Sequence, residues 1–204
     1  MDRVSPRRFE TLGFAPAYAC ELDPEFPGTG DWGCPQYTFH RDGPTTGPFR
    51  SRGGAPLFVR VDVEPAGRWV GAFESGGDWY DLTSVFACPH PTQALVVCGG
   101  QPYLVEVAAP AQSTALDLAW VVQVERVHGL DLLVLVTDTS MAAISPAGQQ
   151  WQSEQLCASH LRVLAATEHG IRCCAVAYSV YDWEEFVVDP RTGQRRPGPP
   201  HPDA

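Results

Sequence analysis

Residues 130–151, LDLLVLVTDTSMAAISPAGQQW, constrain the fold more than any other stretch of this chain. The apolar run 132–137 has the length of a strand and is stopped by the polar Asp138-Thr139-Ser140. Residues 141–145 return to Pro146-Ala147-Gly148, and 149–154 leave that turn with Trp151 among them. Three short segments with two turns in about two dozen residues are too short and too punctuated for helices, so the stretch predicts strands joined by tight turns. The same punctuation recurs elsewhere. Residues 57–64 run into Pro65-Ala66-Gly67-Arg68-Trp69, and 186–189 run into Pro190-Arg191-Thr192-Gly193.

The other segments of the body read alike. Between 57 and 64, Leu57, Val59, Val61 and Val63 oppose Phe58, Arg60, Asp62 and Glu64, the two-residue period of a half-buried strand. Residues 94–98 and 102–107 predict a hairpin around Gly99-Gly100. Residues 161–167 and 171–177 pair around Glu168-His169-Gly170, and 183–189 form a last strand. The β-branched residues and period of 114–127 predict one continuous strand there. No segment sustains a helical period. The expected fold is all-β, with antiparallel meander sheets in a blade-like or sandwich arrangement.

Residues 1–56 differ from the rest, being rich in proline and glycine without a 2- or 3.6-residue apolar period. Phe9, Phe14, Tyr18, Phe26, Trp32, Tyr37, Phe39 and Phe49 are too many aromatics for a solvated linker. The expected organisation is an irregular segment, 1–56, packed on the body, then a β domain of about three meander units at 57–193. The proline-rich tail 194–204 is expected to be disordered.

Turn spacing supports a repeat. Pro65 and Pro146 stand 81 positions apart, Pro146 and Pro190 stand 44 apart, and Val105-Glu106-Val107 matches Val61-Asp62-Val63 at an offset of 44. About forty residues per four-strand unit is the spacing of propeller-type repeats. The segments S-P-A-G-Q-Q-W and D-P-R-T-G-Q resemble the strand-end turns of blades in quinoprotein-like β-propellers, and the resemblance covers roughly residues 57–195. It implies blade-like sheets. A closed ring takes four to eight blades, so an open or sandwich arrangement is expected. Nothing matches a quinone or calcium site, and no cofactor is expected.

Composition narrows the chemistry. All fourteen basic residues are arginine, which removes Schiff-base and phosphate-loop lysines from consideration. The net charge is −10, and residues 57–189 carry five arginines against sixteen acids. Such a body repels phosphate backbones, so nucleic acid is an unfavourable partner, and the acid excess serves solubility in the first place and a basic protein partner in the second. No apolar run reaches the length of a membrane helix, and the N-terminus lacks the apolar core of a secretory signal. No membrane partner and a cytoplasmic location are expected. The seven cysteines form no C-x-x-C pair, and their odd number fits a reducing compartment. A structural zinc would have to draw on Cys20, Cys34, Cys88 and His90.

Two functional readings follow. The first is a non-catalytic protein-binding β module: an adaptor, an inhibitor or an immunity-type protein. Its binding residues would be Tyr178, Tyr181, Asp182, Trp183 and Glu184, with Trp79 and Tyr80 on a second loop. Amphipathic rings beside acids are the composition of an interface anchor for a basic partner. The second is a small hydrolase or transferase whose site assembles from distant loops, with Cys88, His90, His128 and Asp138 as its cast.

Overall fold

Glycine and proline set the turns of this chain, and the strands between them pair mostly with their chain neighbours. The computed structural model describes residues 7–47, 55–77, 82–118, 120–178 and 182–197. Among these the chain is all-β, with four sheets of four or five mostly antiparallel strands. Its only helical geometry there is a single 3-10 turn at Pro110–Gln112. The chain divides into two compact units, Met1–Trp120 and Val121–Ala204.

The first unit holds β1 (Phe9–Glu10), β2 (Ala19–Leu22), β3 (Gln36–His40), β4 (Gly43–Thr46), β5 (Leu57–Val63), β6 (Gly67–Phe73), β7 (Ser84–Ala87), β8 (Gln93–Cys98), β9 (Gln101–Glu106) and β10 (Thr114–Ala115). One sheet runs β2-β5-β6-β3-β4 and the other β1-β7-β8-β9-β10. β3 lies parallel to β6, and β1 parallel to β7. In β5 the predicted alternation holds, with Leu57, Val59, Val61 and Val63 buried and the residues between them half-buried. Those four share one core with Phe39, Trp69, Phe73, Val96, Tyr103 and Val105, so both sheets feed it. The predicted hairpin closes on Cys98 opposite Gln101, and Gly99 and Gly100 take φ of +53° and +75°. Those left-handed values are the ones a two-residue turn needs to match the twist of its strands.

Two expectations are corrected here. Residues 1–56 are not irregular throughout, because β2, β3 and β4 join the β5 sheet. These strands have four or five residues, too few to show a period between prolines and glycines. Most of the segment's described aromatics do pack inward: Phe14, Tyr18 and Phe39 are buried, and Phe9 and Tyr37 lie against the core. Phe26 does not, and Phe49 lies outside the described residues. The strand expected at 114–127 is also broken. Only its ends are strands, and Trp120 between them takes φ of +63°.

The second unit holds β11 (Gln123–Arg126), β12 (Leu133–Val136), β13 (Met141–Ser145), β14 (Gly148–Gln152), β15 (Ser159–Thr167), β16 (Gly170–Val176), β17 (Trp183–Val188) and β18 (Arg195–Pro197). Its two sheets, β11 to β14 and β15 to β18, run in chain order, each strand antiparallel to the next. All four residues of β12 are buried, which explains its unbroken apolar run, since alternation marks only strands with one wet face. A single core takes Val134, Val136, Met141 and Trp151 from one sheet and Val163, Ile171, Cys173 and Phe186 from the other. The tail is corrected in part: Arg195–Pro197 pairs with β17, where disorder was expected. Residues 198–204 lie outside the described residues.

The two Pro-Ala-Gly turns do the same work in both units. Each feeds a strand whose tryptophan is buried and donates its indole N–H to a main-chain carbonyl further along. Trp69 reaches Val107 at 2.8 Å, and Trp151 reaches Pro190 at 2.9 Å. Trp151 stands one residue further from its proline than Trp69 does. A register shift between Ala143 and Ile144 absorbs the extra residue, so Trp151 faces Ala143 and Gln149 faces Ile144. One inserted residue would otherwise turn the indole to the opposite face, and the bulge prevents it.

The outer edge of β15 is closed by its own unit. Gln123 donates from Nε2 to the Val163 carbonyl at 3.1 Å and accepts the Val163 N–H on Oε1 at 3.0 Å, standing in for a strand. Leu161 N–H donates to the Asp138 carbonyl, and Glu168 N–H to that of His128. Gln123→Leu strips both partners from Val163 at once. It is expected to lower the unfolding free energy by about 1–3 kcal/mol in urea titration.

Candidate functional site

β17 alternates, and the alternation decides what each predicted site residue does. Phe186 and Val188 point into the core, while Trp183, Glu185 and Val187 occupy the other face. Trp183 opens the strand opposite Val176 with 54% of its surface exposed, and Tyr178, just past β16, is exposed equally. The Ala177 N–H donates to the Asp182 carbonyl at 2.9 Å, joining the two ends of the turn that carries these rings. Asp182 Oδ1 accepts the Trp183 N–H at 2.8 Å and so fixes the start of the strand.

Beside Trp183 stands a residue the sequence reading did not assign to this surface. The His160 ring meets the indole edge-on, with centroids 6.2 Å apart. His160 has φ of +59°, a conformation costly for any residue with a Cβ. It lies where the β15 register slips between Ser159 and Arg162, so a bulge re-aims its side chain. Three bonds fix it. The Asp138 carboxylate accepts the His160 N–H at 2.9 Å, the Asp138 carbonyl accepts the Leu161 N–H, and Ser159 Oγ meets His160 Nδ1 at 2.8 Å. A cleft of about 460 Å³ opens alongside, lined by Val122, Gln123, Asp138, His160, Arg162 and Leu164 among others. Val122 and Leu164 are exposed apolar residues. The one sequence hint is that histidine tolerates left-handed backbone better than most residues.

The acids beside these rings are accompanied by arginines. Glu184 lies on the same side of β17 as Phe186, stays about a third exposed and pairs with Arg195 at 2.7 Å. Arg195 also donates to the Leu156 carbonyl at 2.8 Å and covers the Phe186 ring at 4.1 Å. On the outer face, Glu185 and Arg162 flank Cys174 in register, and Arg172 lies opposite Val187. The face is mixed in charge. Tyr181, Trp79 and Tyr80 lie outside the described residues.

The catalytic cast divides between the units, and its members are engaged otherwise. Burial pushes the Cys88 thiol far up, with Glu106 adding to the shift. His90 Nδ1 is taken by Thr92, at 2.9 Å from its hydroxyl and 3.3 Å from its N–H. His128 bridges Thr167 through its backbone, and the Asp138 carboxylate holds His160. Burial likewise raises Cys98 and Cys157 to about 11, and Cys20 and Cys173 to about 12. Thiols of that kind are protonated at neutral pH and poor nucleophiles. Among the described residues no three His, Cys, Asp or Glu side chains converge as a metal site, and that covers Cys20, Cys34, Cys88 and His90.

Comparison with protein-family models, curated proteins and solved structures finds no match for this chain. Among the described residues no helix is long and apolar enough to cross a membrane.

Proposed function

We propose that this chain is a non-catalytic, protein-binding β module of the cytoplasm, an adaptor, inhibitor or immunity-type protein, which seats a partner protein around Trp183. One observation carries the reading. An indole more than half exposed is braced by His160, whose strained backbone is held by Asp138 and whose ring is held by Ser159. Strain kept at one surface position is characteristic of sites that must present a side chain in one orientation. Tryptophan is among the residues enriched at the anchor points of protein interfaces. The mixed charges of Arg162, Arg172 and Glu185 suit a partner with both signs on its rim, and the anchor supplies the affinity.

The same reading extends to architecture. Each unit is taken as two blade-like sheets stacked over one core, clasped where a tryptophan of one sheet meets the turn beyond the other. The shared cores and the paired indole bonds of Trp69 and Trp151 support it.

Trp183→Ala tests the binding claim. Since the ring is mostly in solvent, the variant should melt within a degree or two of the parent. An anchor residue is worth about 2 kcal/mol or more, so affinity for the captured partner should fall roughly 30-fold. A folded variant with unchanged affinity would place the binding surface elsewhere.

A further inference from the structure

A second aromatic surface lies in the first unit, and it rests on observations separate from Trp183. Between β2 and β3 the chain leaves the sheet at Asp23 and returns at Gln36. Asp23 ties the exit down: its N–H donates to the Phe58 carbonyl at 2.7 Å, and its carboxylate accepts from Arg7 at 2.9 Å. Pro35 ties the return, its carbonyl accepting the Val70 N–H at 3.0 Å. Between these anchors Phe26 and Trp32 meet edge to face at 5.2 Å. Both rest on Phe58 of β5, at 6.1 Å and 6.3 Å. Phe26 is 61% exposed. Here, then, is an aromatic ridge that the core does not take up.

Open clefts flank the ridge on both sides of Cys34-Pro35. One, of about 540 Å³, runs between Trp32, Asp62, Glu64 and Arg68. The other, of about 590 Å³, runs between Asp31, Tyr37 and Thr46. The charge around them is uneven. Arg60 pairs with Glu21, Arg68 with Asp62 and Arg7 with Asp23. Glu25 next to Phe26, Asp31 next to Trp32 and Glu64 in the first cleft have no cationic partner among the described residues. Among the described residues, three carboxylates without a cationic partner thus adjoin the exposed aromatic ridge in sequence or line its first cleft.

We propose that this ridge and its two clefts bind an extended, arginine-bearing segment of a partner protein. A guanidinium is planar and weakly hydrated, so it stacks on an aromatic face while its N–H fork meets a carboxylate, which an ammonium does less well. Acids spaced along the ridge and a cleft at either side of Cys34-Pro35 fit a chain carrying several such groups better than one small cation. Phosphate-bearing ligands are repelled by the same carboxylates.

The test uses a fluorescently labelled, end-blocked peptide with four arginines separated by glycines, titrated against the full chain by anisotropy. Peptides with lysine or glutamate in place of arginine serve as controls. The arginine peptide should bind at least several-fold more tightly than the lysine peptide, and the glutamate peptide should not bind. Phe26→Ala should weaken binding about tenfold with the circular dichroism spectrum unchanged. Glu25→Gln with Glu64→Gln should weaken it several-fold and flatten its salt dependence. Trp183→Ala should have no effect, which separates this site from the one proposed above. Equal binding of arginine and lysine peptides to parent and Phe26→Ala would mean diffuse attraction to an acidic chain and would overturn the proposal. Loss of binding in Trp183→Ala would overturn it as well. So would self-association of the parent that Phe26→Ala abolishes, since the occupant would then be a second copy.

Discussion

Trp151→Ala is expected to lower the unfolding free energy by about 3–5 kcal/mol, the range for a large aromatic removed from a core. The indole lies in the core between the two sheets of the second unit and gives its N–H to the Pro190 carbonyl. A Cβ on Gly193 would come to 2.5 Å from the ring, so the Asp189–Gly193 turn sits on the indole face with no room to spare. Removing the ring leaves a cavity under that turn and strands a carbonyl. Trp151→Phe separates the two effects, keeping most of the apolar area and costing about 1 kcal/mol for the lost bond. Trp69→Ala should behave alike, because Trp69 is buried and bonded to Val107 in the same way. Denaturant titrations read the change. A Trp151→Ala variant that melts with the parent would show that the turn, not the indole, carries the packing.

That equivalence was half legible in the sequence. The two Pro-Ala-Gly turns followed by tryptophan stand out by inspection, and turn chemistry, being local, places β5, β6, β13 and β14 correctly. What the tryptophans bond to is not legible, since Val107 and Pro190 lie 38 and 39 residues further along. The strands of residues 19–46 escaped because all three are short: β2 and β3 partner strands of the body, so that pairing is tertiary, and β4 pairs only with β3 in a local hairpin too brief to show a period. The division after Trp120 is marked by no run of glycine, proline or serine. At the candidate site Trp183 was legible as an aromatic beside a turn. The placement of Glu184 on the Phe186 side follows only from the register of β17 against β16, and the role of His160 only from a bulge.

A second large effect is expected in alkali. Burial holds Cys98 and Cys157 at about 11 and Cys173 at about 12, against an ordinary thiol value of 9.0. Below pH 9 both folded and unfolded chains keep these protons, and the stability associated with the raised values is fully present. Above it the unfolded chain releases its protons first, so stability falls as pH rises from about 9 and is lost as pH passes the folded values. Each thiol removes about 1 kcal/mol per pH unit within that window. Cys88, Tyr18 and Tyr103 are pushed up as well, chiefly by burial, and act in the same direction. Urea titrations under reducing conditions should therefore show a loss of several kcal/mol between pH 8.5 and 10.5 by this slope. Cys157→Ala with Cys173→Ala should make the decline shallower, whatever it costs at pH 7. A stability flat across that range would mean that water reaches these thiols in the folded protein.

Cys88, Cys98, Cys157 and Cys173 are buried, whereas Phe26, Tyr178 and Trp183 are exposed. That distribution is in keeping with the binding module proposed above. Trp183 and Phe26 lie on separate units, with mixed charge around one and, among the described residues, acids without a cationic partner around the other.

Site-specific photo-crosslinking at position 183 tests the central claim most directly. A photoreactive phenylalanine analogue replaces Trp183 in one preparation and Ala147, exposed in the β13–β14 turn, in another. Both are irradiated in extract from the native source, and adducts are resolved by mass spectrometry. If the face around Trp183 seats a partner, position 183 gives one discrete protein adduct, position 147 does not, and excess unlabelled parent competes the adduct away. No adduct at 183, or the same adducts from both positions, would contradict the account.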